Sequence, residues 1–282
     1  MDKRKIEEAV FKGLMLASTF IVLGSLLAVI AMVILRGMPA LNLSMITQTP
    51  KGGYYLGKEG GILNAIVGSI YLVGGATALA LLVSLPIALY LEEYAGKSRL
   101  AGLARLSLDV SWGVPSIVYG VFGFTIMLYF GIKASLVGGI VTVALFELPF
   151  MVRAMDEVLR MVPFELREAS YALGSTKLET VFKVMVKQAL PGIVTAVLLA
   201  FGRGIGDAAS VLFTAGYSDY IPNSFFDPAA TLPLAILFQL GTPFPEVQMR
   251  AYASAAILMI IVLSLSITSR FLAKKLTKQV VG

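Results

Sequence analysis

Residues 62–91 read ILNAIVGSIYLVGGATALALLVSLPIALYL, a run of 30 residues without a charged side chain. A helix needs about 20 residues to cross the hydrocarbon core of a bilayer, so this run is long enough to span a membrane. Of the 282 residues in the chain, 57% are hydrophobic and 14% are charged, whereas about a quarter of the residues in soluble domains are charged. The composition indicates an integral membrane protein and excludes a soluble enzyme, a disordered chain and a nucleic-acid binder.

The residue types of common enzyme sites are missing. The chain contains no Cys and no His, so it offers no thiol nucleophile and no imidazole ligand for a metal. Residues 52–59 read GGYYLGKE, which nearly matches the spacing of a Walker A loop, but Glu59 stands where Ser or Thr must reach Mg²⁺. We therefore expect no catalytic residue, metal, cofactor or ATP site in this chain.

Five further charge-poor runs accompany residues 62–91, so we expect an all-α integral membrane protein with six membrane-spanning helices. Residues 229–245 also lack charge, but Pro233, Pro243 and Pro245 interrupt them, which favours an interfacial or re-entrant piece. The predicted spans are residues 14–35, 62–91, 110–132, 134–152, 188–217 and 251–269.

Lys and Arg residues are distributed unevenly between the two sides of this arrangement. With the N-terminus inside, 17 of the 23 Lys and Arg residues fall in inside segments and five in outside segments. Cytoplasmic loops carry an excess of Lys and Arg. We therefore expect a multi-pass protein of the cell membrane, in contact with lipid, whose transmembrane domain (14–269) lies between cytoplasmic tails at 1–13 and 270–282.

The inside loop at 153–187 is predicted to form two short helices hinged at Gly174, because glycine adopts a positive φ at little steric cost and commonly ends helices. Residues 176–179 read TKLE, a capping box that starts the second helix. An apolar stripe at helical spacing indicates either a docking element for a partner's groove or a helix pair lying on the lipid surface. The stripe consists of Val162, Leu166, Ala169 and Leu173.

The same loop resembles the EAA loop of permeases in ATP-binding-cassette (ABC) importers. After the sequence EAS at 168–170 come three residues and then Gly174, and LPG stands at 190–192. At 186–187 this chain has Val-Lys, where the family pattern has Leu-Pro and breaks the chain before the next span. The resemblance implies a coupling helix that fits a cleft on an ATPase subunit. The residues implied in this coupling are Leu166, Glu168, Ala169, Ser170, Leu173 and Gly174.

Several ordered segments between about residues 60 and 260 resemble the PstA-type phosphate permeases of ABC importers. The resemblance implies a MetI-like bundle that pairs with a second, PstC-like permease. Two PstB-like ATPases would hold ATP and Mg²⁺, and an extracytoplasmic PstS-like protein would deliver phosphate. The matching segments are GGI (60–62), GSIYL (68–72), YLEEYA (90–95), GVPSIVYG (113–120), LPL (232–234) and AYA (251–253).

Two charged residues lie within the fifth predicted span, where each costs about 2.5–3.5 kcal/mol on insertion scales. On a continuous helix, Arg203, Asp207, Ser210 and Thr214 form one polar line, which predicts a face towards a bundle interior or a water-filled path. Either Arg203 and Asp207 neutralise each other, or the guanidinium of Arg203 binds phosphate oxygens while Asp207 holds it in place. Asp207 could also pair with an Arg of the companion subunit.

The family resemblance favours a role for Arg203 in the phosphate path, because Arg-x-x-Gly-acid matches a family motif, although the acid there is usually Glu. Arg153 also matches a family Arg linked to the path, and its alternative role is a positive-inside anchor. We expect a membrane subunit that provides the path for inorganic phosphate and couples to separate ATPases. The rivals are a permease for sulfate or molybdate and a stand-alone secondary transporter, for which we find no internal repeat.

Overall fold

The described chain is built mainly from α-helices, with one short β-hairpin. A computed structural model describes residues 3–51, 59–96 and 98–277. Most of the Walker-like segment (52–58) lies outside the described residues, and so do Lys97 and Lys278, which entered the charge count above.

Eleven α-helices follow one another in the described residues, and the strands β1 (Pro50–Lys51) and β2 (Glu59–Gly60) pair antiparallel. A 3₁₀ turn covers Met38–Ala40, and π-helical turns cover Tyr90–Tyr94 and Val181–Met185. The helices are α1 (Lys3–Gly37), α2 (Leu43–Thr47), α3 (Leu63–Leu89), α4 (Arg99–Trp112), α5 (Ser116–Tyr129), α6 (Leu136–Arg160), α7 (Phe164–Ala172), α8 (Lys177–Thr180), α9 (Val186–Ile205), α10 (Leu232–Leu240) and α11 (Pro245–Thr277).

Five helical stretches in the described residues are long and apolar enough to cross a membrane, and the bent pair of α4 and α5 makes a possible sixth. The prediction of a mostly helical multi-pass membrane protein is confirmed, and the count is five or six according to how the bent pair is treated. The five stretches are Lys3–Ala40, Leu63–Tyr94, Leu136–Arg160, Lys177–Ile205 and Pro245–Leu276.

The core of the bundle lies between α3 and α6, and α9 packs against both of these helices and against α11. Small residues let α3 and α6 approach each other closely: Gly75 lies against Ile140, and Gly139 lies against Leu72. Close approach of this kind is the usual source of helix association in membranes, where apolar burial alone gives little. The packing of α3, α6 and α9 is the frame that holds the candidate site.

Opposite ends of the bundle carry different elements. At the end that holds β1 and β2, a second apolar cluster joins α2, the start of α3, α10 and α11. At the other end, α3 and α6 finish and α7 crosses between them, and we call this the α7 end. Helix α1 begins at Lys3 and α11 continues to Thr277, so both predicted tails are at least partly helical.

The third predicted span, 110–132, is not one straight helix. Helices α4 and α5 meet at Gly113–Pro115 and are bent by 99° relative to each other. Proline lacks a backbone N–H and disfavours helical geometry in the residue before it, so Pro115 ends α4 and begins α5. The hydroxyl of Tyr119 donates to the carbonyl of Ser111 across the bend, at 2.8 Å.

The fifth predicted span, 188–217, was wrong at its second half, because α9 ends at Ile205. Residues 206–217 form turns and loop instead. The carboxylate of Asp207 accepts a hydrogen bond from the backbone N–H of Ser210 at 2.8 Å. This local bond competes with helical pairing, and the glycines at 202, 204 and 206 weaken the helix that precedes it.

The inside loop is partly as predicted. Gly174 has a φ of 82°, and the capping box between Thr176 and Glu179 is formed in both directions. The second helix is not short, however, because α8 continues through a π turn into α9 and gives 29 helical residues. With Val-Lys at 186–187 in place of Leu-Pro, no proline is present to break the chain there.

Candidate functional site: an arginine cavity and an ion network

A cavity of about 490 Å³ lies beside the bend between α4 and α5, and we call it the Arg203 cavity. The bend supplies one wall, Phe146 of α6 supplies another, and the end of α9 supplies the charged side chains. Ser116, the first residue of α5, also lines it, so the positive end of that helix dipole faces the space. The lining residues are Trp112, Gly113, Val114, Pro115, Ser116, Phe146, Arg203, Gly206 and Asp207.

Aromatic rings are the immediate surroundings of Arg203. Its guanidinium carbon lies 4.4 Å from the centre of the Phe146 ring and 5.9 Å from that of Phe150. Within the described part of the chain, no carboxylate forms an ion pair with Arg203. Ring faces attract a cation weakly and do not occupy its hydrogen-bond donors. The guanidinium is therefore held in position while its N–H groups stay available to an anion.

Asp207, Ser210 and Thr214 do not form the predicted line with Arg203, because the helix ends before them. Asp207 lines the cavity, but its carboxylate caps the turn at Ser210 and forms no ion pair with Arg203. Ser210 and Thr214 are fully buried, and neither is among the described residues that line the cavity. The structure thus brings together Arg203 and Asp207 at the cavity, whereas the two hydroxyl residues are buried outside its described lining.

A buried carboxylate, that of Glu147, lies next to this cavity. Glu147 is completely buried, and one of its oxygens accepts from the hydroxyl of Thr77 at 3.0 Å. Its other oxygen has no hydrogen-bond partner and packs against Gly204, where there is no room for a Cβ atom. Glu147 therefore fixes the contact between α6 and α9 one residue away from Arg203.

Arg153 lies outside the described lining of the cavity, in a group of charged residues at the α7 end. Its guanidinium donates to Asp109 of α4 at 2.7 Å and to Asp156 of its own helix at 3.2 Å. The same group links the ends of α3, α4 and α6 with α7, and we call it the ion network. Its members are Glu92, Glu93, Arg105, Asp109, Arg153, Asp156, Arg160 and Arg167.

Asp156 is the centre of the ion network and is 0% exposed. Its carboxylate accepts two hydrogen bonds from Arg105, at 3.0 and 3.1 Å, one from Arg153 and one from Arg160 at 2.9 Å. Burying a charge is costly unless it is paired and hydrogen-bonded. The three guanidinium groups satisfy this requirement and hold α4 against α6.

Arg167 joins α7 to the end of α3. It is 8% exposed and donates to Glu93 at 3.1 Å and to Glu92 at 3.2 Å. The hydroxyl of Tyr171 also donates to Glu93, at 2.8 Å. Partial burial and this hydrogen bond raise the pKa of Tyr171, so the hydroxyl keeps the proton that it donates.

The predicted coupling residues divide between two faces of α7. Val162 and Leu166 face inwards, and the hydroxyl of Ser170 lies 2.9 Å from that of Thr180 on α8. Leu173 is 87% exposed. The single apolar stripe is therefore wrong, because Pro163 starts α7 after Val162 and buried Arg167 rotates the helix. Exposed positions on and beside α7 are Phe164, Glu165, Glu168, Ala169, Leu173 and Leu178.

Sequence reasoning missed most of the ion network, although a signal was present. Arg153, Asp156, Glu157 and Arg160 stand at i, i+3, i+4 and i+7, which places alternating charges on one helical face. Glu92 and Glu93 follow directly after the longest charge-free run. The prediction of membrane orientation used Lys and Arg alone. It therefore took these cations to be exposed to solvent and left out the acidic residues that pair with them.

Comparison with known proteins identifies the family. Residues 84–280 match the family described as "Binding-protein-dependent transport system inner membrane component". The phosphate transport system permease protein PstA of Haemophilus influenzae is 34% identical over 268 residues, which cover 95% of this chain and 94% of that relative. The chain belongs to this family of permeases. PstA 1 of Mycobacterium tuberculosis is 35% identical over 279 residues, which cover 97% of this chain and 90% of that permease.

Solved permease structures share the fold. A chain of the MetNI methionine ABC transporter in an inward-facing conformation superposes with a TM-score of 0.61 at 19% identity, over 77% of this chain and 96% of that chain. A chain of an amino acid ABC transporter gives a TM-score of 0.56 at 20% identity, over 76% and 93% of the two chains. The MetI-like permease fold is confirmed. A permease of this family is a multi-pass membrane subunit whose partners include an ATPase and a substrate-binding protein.

Proposed function

We propose that this permease carries inorganic phosphate through the membrane and that Arg203 is its anion contact. The observation that supports this proposal most is that the guanidinium of Arg203 lines a cavity and forms no ion pair with a carboxylate of the described residues. The fork of an Arg side chain matches two phosphate oxygens at once. The names of the PstA relatives support phosphate as the anion.

A single cationic side chain suits transport better than a closed cage does. Conduction requires a contact strong enough to attract the ion and weak enough to release it. In our proposal the positive end of α5 adds to the field of Arg203, and Asp207 holds the turn that follows α9. Arg153 would meet phosphate only in a state in which Asp109 and Asp156 release it.

The assembly that we propose contains four kinds of subunit. This chain pairs with a PstC-like permease, an extracytoplasmic PstS-like protein delivers phosphate, and two PstB-like ATPases bind ATP and Mg²⁺. The α7 end faces the cytoplasm, together with both termini, and the exposed face around Glu168 and Leu173 contacts an ATPase. Closure of the ATPases on ATP would then drive alternating access to the path.

The test is uptake of labelled phosphate by the purified complex in proteoliposomes, with ATP inside or omitted and with sulfate and molybdate as competitors. We expect ATP-dependent uptake that resists both competitors. Arg203→Gln should reduce uptake about 100-fold or more, because loss of one partner of a buried charged contact costs about 2–5 kcal/mol. Arg36→Gln, at an exposed Arg beside Tyr252, is the matched control and should transport normally.

Three results would contradict this proposal. Normal uptake by Arg203→Gln would remove Arg203 from the path. Uptake of sulfate or molybdate in preference to phosphate would assign the permease to another oxyanion. Uptake without ATP or an ATPase would instead favour a secondary transporter.

A further inference from the structure

Besides the apolar packing of Leu166 against the core, α7 is tied to the rest of the molecule by a few polar contacts. Arg167 and Tyr171 reach the π-helical turn at the end of α3, and Ser170 reaches Thr180 at the start of the long helix that leads into α9. Arg167 is the most buried charged residue of α7 and touches two carboxylates. A displacement of α7 would therefore act first on Glu92 and Glu93.

The π-helical turn at Tyr90–Tyr94 is an element that can yield to such a displacement. The backbone N–H of Ala95 bonds to the carbonyl of Tyr90, five residues back, at 2.9 Å. Gly96 then follows with a φ of 52°. Turns of this kind are uncommon, occur mostly as single turns inside α-helices and are frequent at functional sites. The two carboxylates that bind Arg167 thus belong to a π-helical turn. The backbone of that turn could instead form the i to i−4 hydrogen bonds of an ordinary α-helix.

From the end of α3 the charges continue to the Arg203 cavity. Glu92 lies 3.8 Å from Arg105 of α4, which in turn holds Asp156. Asp156 holds Arg153, and Arg153 holds Asp109 at 2.7 Å. Asp109 stands three residues before Trp112, which ends α4 and lines the cavity. The ion network is therefore continuous from α7 to the bend that forms one wall of the cavity.

We propose that Arg167 is a positioning residue, which transmits a displacement of α7 through Glu92 and Glu93 to α4 and so sets the geometry of the Arg203 cavity. This inference rests on the proposed function for the source of the displacement, an ATPase at α7. This transmission requires the guanidinium group, because one side chain must bind the carboxylates of Glu92 and Glu93 at the same time. The test therefore measures the coupling between α7 and the Arg203 cavity directly.

The experiment uses the complete complex in proteoliposomes and reads two quantities. The first is the number of phosphate ions taken up per ATP hydrolysed. The second follows a cysteine introduced by Ser116→Cys in the cavity wall, which is the only Cys of this chain, and the complex with the unmodified chain gives the background alkylation of the other subunits. Its rate of alkylation is compared between the nucleotide-free state and the ATP-bound state. This second readout does not depend on the identity of the transported anion.

For Arg167→Gln we expect assembly and ATP hydrolysis to persist while uptake per ATP falls about tenfold, within the usual range of coupling between sites. The ATP-dependent change in alkylation should disappear. Glu92→Gln combined with Glu93→Gln should give the same loss, and adding Arg167→Gln to that pair should lower uptake no further. Lys183→Gln, which removes an exposed cation paired with Glu179, is the control and should behave as the unmodified complex does.

The outcomes separate the inference from the proposed function. If Arg167→Gln keeps the ATP-dependent change in alkylation, the inference is overturned. If the complex moves no phosphate but alkylation still responds to ATP and loses that response in Arg167→Gln, the inference stands and the proposed substrate fails. Should Arg167→Gln not assemble, Arg167→Lys decides: an assembled complex with a reduced ATP response supports a positioning role, and a full response overturns it.

Discussion

The Arg203 cavity and the ion network surround their arginines in opposite ways. Arg203 faces aromatic rings and forms no ion pair with a carboxylate of the described residues. In the ion network, the single carboxylate of Asp156 forms ion pairs with three arginines, and Arg167 forms ion pairs with two glutamates. A cation that is saturated by carboxylates holds helices together, whereas a cation left against ring faces is available to a mobile anion.

The same contrast separates stability from transport. Removing a partner from a saturated buried group leaves other charges uncompensated, which destabilises the folded state strongly. Removing a cation that has no carboxylate partner exposes no such charge. We therefore expect the two regions to respond differently to substitution, and three comparisons test this, in order of decreasing effect.

The largest effect on stability is expected from Asp156→Ala. Arg105, Arg153 and Arg160 would then converge without their carboxylate, and loss of one partner of a buried ion pair costs about 3–5 kcal/mol. The measurement is the thermal unfolding midpoint of the purified complex, together with its yield. The expected result is a large drop in both.

Two variants sharpen this comparison. Glu157→Ala removes a neighbouring carboxylate that is 66% exposed and 3.9 Å from Arg153, so the midpoint should hardly change. Arg203→Gln should also leave the midpoint nearly unchanged although it abolishes uptake. A midpoint that falls as far in Arg203→Gln as in Asp156→Ala would show that both regions are structural.

An intermediate effect is expected at the contact between α9 and α6. In Gly204→Ala the new methyl group would collide with the buried carboxylate of Glu147, and overpacking of this kind costs about 1–3 kcal/mol. Because Arg203 is the adjacent residue, uptake should fall as well. Thermal unfolding and phosphate uptake of the same preparation measure both.

Gly202→Ala is the matched control for that substitution. A Cβ atom at residue 202 meets nothing within 4 Å, so this variant should be neutral or more stable by about 0.5–1 kcal/mol through its better helix propensity. Equal destabilisation by the two alanines would contradict the packing argument and point to a general requirement for a flexible helix end.

The smallest effect is expected from Tyr119→Phe at the bend of α4 and α5. It removes the hydroxyl that donates to Ser111, and a hydrogen bond of this type contributes about 1 kcal/mol. A lower unfolding midpoint with uptake altered no more than a few-fold is the expected pattern. Tyr129→Phe, at a ring that is 85% exposed, provides the comparison and should change neither quantity.

Much of the fold could be predicted from local sequence. Charge-free runs located the helices, because bilayer thickness sets a minimum length for a spanning segment. Gly174 and the capping box at 176–179 were located correctly, since their geometry depends on a few neighbouring residues. Two of the errors in helix bounds, at 113–115 and after Ile205, lie at Gly or Pro residues that had been treated as part of a span.

The candidate site could be predicted only in part. Arg203 was found because a lone cation in an apolar run requires an explanation. Its ring partner Phe146 stands 57 positions earlier in the chain, and no local pattern joins the two. Asp156 was missed although Arg153 and Arg160 are its neighbours on α6, and its third partner, Arg105 on α4, stands 51 positions earlier, where no local pattern joins the two.

The sequence by itself determined that this is a multi-helix membrane protein with a hinged loop and a cation inside an apolar segment. Those properties follow from the types of residues that are close together along the chain, because hydrophobicity and backbone preference act locally. Only the tertiary structure decided which arginines are paired. Charge pairing depends on distances of a few ångströms between side chains, and the packing of α3, α4, α6 and α9 alone brings such distant positions of the chain together.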